Sequence, residues 1–241
     1  MQSKTEKGVL EKGLAWVRQN WRALEGLSLA CKADKKIVLT AVTQNGCALQ
    51  WAGDLCKNDH EVVLAAVSQR YWPGNVDSLM CGGALRWSSE SCRGQRDIVL
   101  SAVRHNGYAL QWAAASCKSD REIVLSAVRH EGHALEFAAA SCKSDRNIVL
   151  AAAQKTGSAL KWASVSCQSD REIVLAAVGQ EGWALKWAAK TCQSDREIAQ
   201  TAVDQNAGAL HWVADELMED PTFAPEAKGM KYILKVSMMS C

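Results

Sequence analysis

The chain has 241 residues, a formal net charge of +2 and a hydrophobic content of 48%. A net charge this close to zero gives no general electrostatic argument for binding to nucleic acid or to an anionic membrane. No run of about 18 apolar residues is present, and the first residues lack the apolar region of a signal peptide. We therefore expect a cytoplasmic or nuclear protein that does not span a membrane.

A pattern of 25 residues recurs through most of the sequence. Self-similarity at such a period is typical of arrays in which each repeat buries its apolar face against its neighbours. The sequence therefore predicts an all-α solenoid of short helix-turn-helix repeats with a period of 25 residues. Aromatic residues mark the period at Trp51, Trp87, Trp112, Phe137, Trp162, Trp187 and Trp212, and cysteines at Cys31, Cys56, Cys92, Cys117, Cys142, Cys167 and Cys192.

The repeat divides the chain into three regions. Residues 1–34 are predicted to be a degenerate N-terminal capping repeat, since Trp21 takes the place of a recurring glycine and terminal repeats often depart from consensus. The helical repeat array follows over residues 35–217, with a loop insertion at about 68–81 that contains a proline. Residues 218–241 are predicted to be a tail or cap, or the start of a further region, with strand-like content at Tyr232–Met239.

Each repeat is predicted to contain two helices. In one typical repeat, Ser119 and Glu122 fit a capping box before a helix that runs to about His130. Gly132 is predicted to end this helix in the left-handed conformation. A second helix is predicted over residues 134–142, with two apolar faces.

Three columns of side chains are predicted to be structural. Leu125 is expected to be buried, and the aromatic column is expected to pack between repeats. The cysteine column is expected to be buried and reduced, because stacked helices lie about 9–10 Å apart and a disulfide needs Cα atoms within about 7 Å. Cys47, Cys81 and Cys241 lie off this column and are candidate exposed thiols.

No catalytic, cofactor-binding or metal-binding residue is predicted, because the sequence has no phosphate-binding glycine loop, nucleophile elbow or HExxH motif. His130 and His133 flank one turn, but no further ligands recur near them. A column of arginines could follow a phosphate backbone, yet neighbouring acids favour local ion pairs on a solvated face. These arginines are Arg96, Arg121, Arg146, Arg171 and Arg196.

One position varies between repeats whose other positions stay alike. It directly follows the turn glycine, and it is Cys47, Gly83, Tyr108, His133, Ser158 or Trp183 in successive repeats. Every interface of a regular array has the same shape, so a freely varying position lies outside the shared core. Turns on a rigid scaffold often carry binding residues. The candidate partner-binding residues are Tyr108, His133, Ser158 and Trp183.

Over residues 10–217 the chain resembles the repeat family called domain of unknown function 4116. The resemblance rests on an ordered motif: an aspartate, an IVLAAV run, a glycine turn and an AL-x-[WF]-A segment. It implies a helical repeat fold and a protist source, with a dinoflagellate-like repeat rhythm. It implies no catalytic or binding residues, because the family has no established biochemical activity.

These observations predict a non-enzymatic helical-repeat scaffold that binds a protein or peptide partner and needs no cofactor. Two alternatives stay open. One is an RNA-binding helical repeat protein that uses the arginine column. The other is a subunit of an enzyme or complex with no chemistry visible in this chain.

Overall fold

A computed structural model describes residues 4–69, 83–220 and 222–223. Within these residues all regular elements are helical, and each repeat has three of them: a long α-helix, a 3₁₀ helix and a short α-helix. The long helices are Lys4–Gln19, Lys35–Val42, His60–Val67, Arg96–His105, Arg121–His130, Arg146–Lys155, Arg171–Gln180 and Arg196–Gln205. The 3₁₀ helices are Trp21–Gly26, Gly46–Trp51, Gly83–Trp87, Gly107–Trp112, Gly132–Phe137, Gly157–Trp162, Gly182–Trp187 and Ala207–Trp212. The short helices are Leu29–Ala33, Asp54–Lys57, Glu90–Arg93, Ala115–Lys118, Ala140–Lys143, Val165–Gln168, Lys190–Gln193 and Asp215–Glu219.

The described chain forms two compact units, Met1–His130 and Glu131–Cys241, which we call unit 1 and unit 2. Within each unit, successive long helices pack against one another, and so do the successive 3₁₀ helices of unit 2. The fold class is therefore the predicted one: all-α, with helical repeats stacked as in a solenoid. No helix in the described ranges combines the length and the hydropathy needed to cross a membrane.

The long helix of each repeat begins at a different residue from the one predicted. The backbone N–H groups of Glu122 and Ile123 donate to Asp120 Oδ1 at 2.9 and 3.1 Å, so Asp120 is the N-cap. Ser119 instead donates its hydroxyl to the carbonyls at the end of the preceding short helix. The predicted capping box is wrong because an aspartate one residue later satisfies the same orphan N–H groups.

The predicted second helix is broken into two pieces. The 3₁₀ helix Gly132–Phe137 ends at Ala138, whose backbone is extended, and the short helix Ala140–Lys143 follows. The next repeat has the same break at Ala163, and there a released backbone N–H group bonds to the preceding repeat: Ser164 N donates to Lys143 O at 2.9 Å. An unbroken helix would use that N–H internally, so the break provides an inter-repeat hydrogen bond.

The turn glycines are needed for close packing and not for a left-handed backbone. Gly83 is the one described glycine with a positive φ, at 64°, so the prediction for Gly132 is wrong. A Cβ placed on Gly157 would lie 2.3 Å from Ala177 O in the next repeat, and one on Gly132 would lie 2.7 Å from Ala152 O. The absence of a side chain lets the backbones of adjacent repeats meet.

The core of each repeat is built from two pairs of residues on the long helix and a pair on the 3₁₀ helix. In the helix Arg121–His130, Ile123 and Val124 are fully buried, as are Ala127 and Val128 one turn later. Leu125, predicted to be buried, is half-exposed because it lies on the outer side of this helix.

The cysteine column is buried, and none of its seven thiols forms a disulfide, which confirms that part of the prediction. Cys192 Sγ donates to Ser169 O of the preceding repeat at 3.5 Å. Burial raises the pKa of the Cys192 thiol, and likewise that of Cys56 and Cys117. These thiols are therefore neutral packing groups that also form weak inter-repeat hydrogen bonds.

The repeat continues into the start of the predicted tail. Asp220 lies 25 residues after the N-cap Asp195 and pairs with Arg196, with Nη1 at 2.5 Å from Oδ2. Phe223, which lies 25 residues after the core residue Ile198, is fully buried. The first residues of the tail thus pack on the last repeat. Several of the sequence predictions fall outside the described residues. They concern most of the insertion, Cys81, Cys241 and the strand-like segment 232–239.

Candidate functional site

Each candidate binding residue is the second residue of a 3₁₀ helix. Tyr108 belongs to unit 1, whereas His133, Ser158 and Trp183 belong to unit 2. Trp183 is 52% exposed and the other three are half-buried, so the variable position lies outside the fully buried core as predicted. The backbone of Tyr108 is held within its own repeat, where Tyr108 N donates to Asn106 Oδ1 at 3.0 Å.

In unit 2 the rings at the variable position contact the aromatic column of the next repeat. The ring centroids of His133 and Trp162 are 5.3 Å apart with an edge-to-face angle of 88°. Those of Trp183 and Trp212 are also 5.3 Å apart, at 49°. We call these four residues, together with Ser158 and Trp187, the aromatic edge of unit 2.

The aromatic column itself is half-buried, so its prediction as inter-repeat core is wrong in part. The ring is the last residue of the 3₁₀ helix, and Ala159 and Leu160 of the same helix take the fully buried positions. The column rings therefore lie at the boundary between the core and the surface. Lys161 Nζ lies 5.1 Å from the Trp162 ring centroid, within the range of a cation–π contact.

Polar groups of adjacent repeats are also joined along this edge. His133 Nε2 and Ser158 Oγ are 3.1 Å apart, which places two of the candidate residues in direct contact. Ser158 N donates to Glu181 Oε2 of the next repeat at 2.9 Å. His133 and Ser158 are therefore joined directly, and Ser158 is joined to the repeat that carries Trp183.

Unit 1 has its own aromatic contacts: the ring centroids of Trp21 and Trp51 are 5.5 Å apart, and arginines lie near two further rings of the column. The Arg86 guanidinium lies 4.9 Å from the ring centroid of Trp87 and 5.2 Å from that of Trp112. Arg93 lies 6.0 Å from the Trp112 centroid. Trp112 thus has two cations near it, an arrangement that sequence reasoning did not predict.

The arginine column pairs across repeats and not locally as predicted. Arg171 Nε lies 3.0 Å from Asp195 Oδ2, and its Nη2 bonds to Glu197, so one guanidinium binds two acids of the next repeat. Arg146 and Arg96 form the same pair of bonds with acids 24 and 26 residues further on.

The aromatic edge offers ring faces, hydrogen-bonding groups and one nearby lysine. Among the residues that the structure describes, no group of three or more His, Cys, Asp or Glu side chains could hold a metal ion. Such a surface suits recognition of apolar and planar groups. Sequence reasoning assigned the column rings Trp162, Trp187 and Trp212 to the core, and it did not identify Glu181 as a neighbour of this edge. A signal was available, since each ring at the variable position lies 29 residues before the ring that it contacts.

Comparison with known proteins places the chain in a family. The family model described as Domain of unknown function (DUF4116) matches residues 34–73, 95–143, 120–168 and 170–218, which together make up more than half of the chain. No curated protein and no solved structure matches it. The overlapping matches follow the helical repeat seen in the structure. The chain therefore belongs to the DUF4116 family.

Proposed function

We propose that the chain is a non-enzymatic scaffold that binds a protein or peptide partner along the aromatic edge of unit 2. One observation carries the proposal: Trp183 is 52% exposed although its ring is fixed against Trp212. A large ring already held in place loses little conformational freedom on binding. Exposed tryptophans of this kind are frequent hot spots of protein interfaces.

The RNA-binding alternative receives less support from the same structure. It relies on the arginine column, and Arg146, Arg171 and Arg196 of unit 2 each pair with acidic residues. A phosphate would have to compete with those carboxylates. RNA binding would also weaken steeply as salt is raised, whereas contact with an aromatic edge would not.

The test begins with capture of partners from the native cell, followed by affinity measurement with purified protein. Trp183→Ala should weaken binding by about tenfold or more while leaving thermal unfolding unchanged. Val165→Ala is the matched control, since Val165 is an exposed apolar residue of unit 2, at 75%, on the short helix Val165–Gln168. Equal affinities for the two variants would reject the aromatic edge as the site.

The captured partner also distinguishes the remaining alternatives. A peptide-length segment that binds alone supports the scaffold. Stoichiometric association with a catalytic chain would instead indicate a subunit of an enzyme. Cytoplasmic or nuclear location and a dinoflagellate-like source stay predictions, to be checked by imaging and by the source of the gene.

A further inference from the structure

The aromatic edge of unit 2 lacks one ring that its own pattern calls for. At the variable position, His133 contacts Trp162 and Trp183 contacts Trp212, both with ring centroids 5.3 Å apart. Between these two pairs the variable position is Ser158 and the column ring is Trp187. A serine hydroxymethyl group is too short to cover an indole as the two flanking rings do.

Trp187 is half-buried, and it has no aromatic or cationic partner among the residues that the structure describes. Trp162 has the His133 ring and the Lys161 cation near it, and Trp212 has the rings of Trp183 and His211. No described aromatic ring or side-chain cation lies against Trp187 in the same way. In the edge of unit 2, Trp187 therefore lacks the ring partner that Trp162 and Trp212 have. We call the place of this missing ring, between Ser158 and Trp187, the gap.

Polar groups border this gap and restrict what fills it. Ser158 N donates to Glu181 Oε2 at 2.9 Å, which brings this carboxylate to the serine end of the gap. An ionised carboxylate accepts several hydrogen bonds and donates none. The hydroxyl of Ser158 is engaged with His133 Nε2 at 3.1 Å. A group that enters the gap thus meets an indole face and a carboxylate acceptor.

We propose that the gap receives an aromatic side chain of the partner that has an N–H or O–H donor, namely tryptophan or tyrosine. The inserted ring would complete the series of ring pairs along the edge, in the tilted or edge-to-face geometry that aromatic pairs prefer. Its donor would bond to Glu181. This inference rests on the proposed function and names the group that the edge recognises.

The direct test uses N-acetyl-L-tryptophanamide as the probe and the ¹⁵N indole signals of the full-length protein as the readout. The probe should shift the Trp187 indole signal in a saturable way, and N-acetyl-L-leucinamide at equal concentration should not. Ser158→Trp should abolish the shift, because it supplies the missing ring from within the chain. The backbone tolerates this residue at the equivalent position, where Trp183 stands.

Ser158→Thr is the matched control, since it keeps a small hydroxylated side chain and should leave binding of the probe unchanged. Glu181→Gln should weaken the binding of N-acetyl-L-tryptophanamide more than that of N-acetyl-L-phenylalaninamide, because only the tryptophan side chain has an N–H donor for the carboxylate. No saturable shift of Trp187, or equal shifts in the wild type and Ser158→Trp, would overturn the proposal.

Binding of a captured partner separates this inference from the proposed function. If Trp183→Ala weakens binding of the partner and Ser158→Trp does not, the partner binds the aromatic edge but does not use the gap. If neither change has an effect, both the proposed function and the inference fail. Loss of partner binding in Ser158→Trp, with an unchanged melting temperature, supports both the proposed function and the inference.

Discussion

Gly157→Ala tests why glycine recurs in the turn of most repeats. The added Cβ would lie 2.3 Å from Ala177 O, which is a backbone atom and cannot rotate away. Ordinary contact at this site needs the two repeats to separate by about 1 Å, and overpacking of this kind costs typically 1–3 kcal/mol. We expect a loss of about 2–3 kcal/mol in the free energy of unfolding, or a melting temperature lower by about 4–10 °C.

Gly179→Ala is the internal control, because nothing lies within 4 Å of its added Cβ and it belongs to the long helix Arg171–Gln180. Alanine in an exposed helix is favoured over glycine, so this variant should gain about 0.5 kcal/mol. Urea denaturation followed by circular dichroism measures both. A Gly157→Ala variant as stable as the wild type, or a loss equal in the two variants, would refute close packing as the role of the turn glycine.

Three further predictions concern the core, the thiols and the N-caps. Ile123→Asp should lower the free energy of unfolding by about 4 kcal/mol or more, because Ile123 is fully buried. Leu125→Asp should lower it much less, because Leu125 is half-exposed. Equal losses for the two variants in denaturation would contradict the assigned helix face. The cysteine column should react slowly with iodoacetamide in the native protein and rapidly in urea, as followed by mass spectrometry, since its thiols are buried. Burial raises the pKa of Asp195, whereas hydrogen bonds from Ile198 N and Arg171 lower it. The hydrogen bonds together outweigh burial, so the pKa lies below the ordinary 3.8. A depressed carboxyl pKa stabilises the fold above the unfolded pKa and loses that effect as pH falls through the folded one. Asp195→Asn should therefore be destabilising at pH 7, by up to about 1 kcal/mol, and near neutral at pH 2; a larger loss at pH 2 would contradict the pairing.

The repeat length, the helical class and the long helix were predictable because they depend on local patterns. Paired apolar residues such as Ile123 and Val124 recur with the period, and the helix ends near His130 as the turn signal indicates. The outward side of Leu125 was not predictable in the same way. Three consecutive apolar residues fit more than one helix face, and tertiary packing decides between them.

The break inside each repeat depends on contacts that a single repeat does not contain. An alanine-rich segment such as residues 134–142 favours a continuous helix by propensity. The structure interrupts it at Ala138, and at the equivalent break of the next repeat the freed N–H group of Ser164 donates to Lys143 O of the preceding repeat. The role of Gly132 was misjudged for the same reason, since the group it accommodates is Ala152 O of the next repeat.

The sequence was sufficient to predict which residues lie at the candidate site, but not which of them contact one another. Variation after the turn glycine identified His133, Ser158 and Trp183 as residues outside the shared core. The ring pairs and the gap over Trp187 required the stacking geometry. Binding by these residues stays a prediction.

Mapping a captured partner onto the ¹⁵N indole signals of the full-length chain tests the central claim most directly. We predict that the signals of Trp162, Trp183, Trp187 and Trp212 shift or broaden on addition of the partner. The signal of Trp16, which is 59% exposed on the first helix of unit 1, should stay unchanged. A perturbation confined to Trp16, or saturable binding with no change at the four edge indoles, would contradict the account.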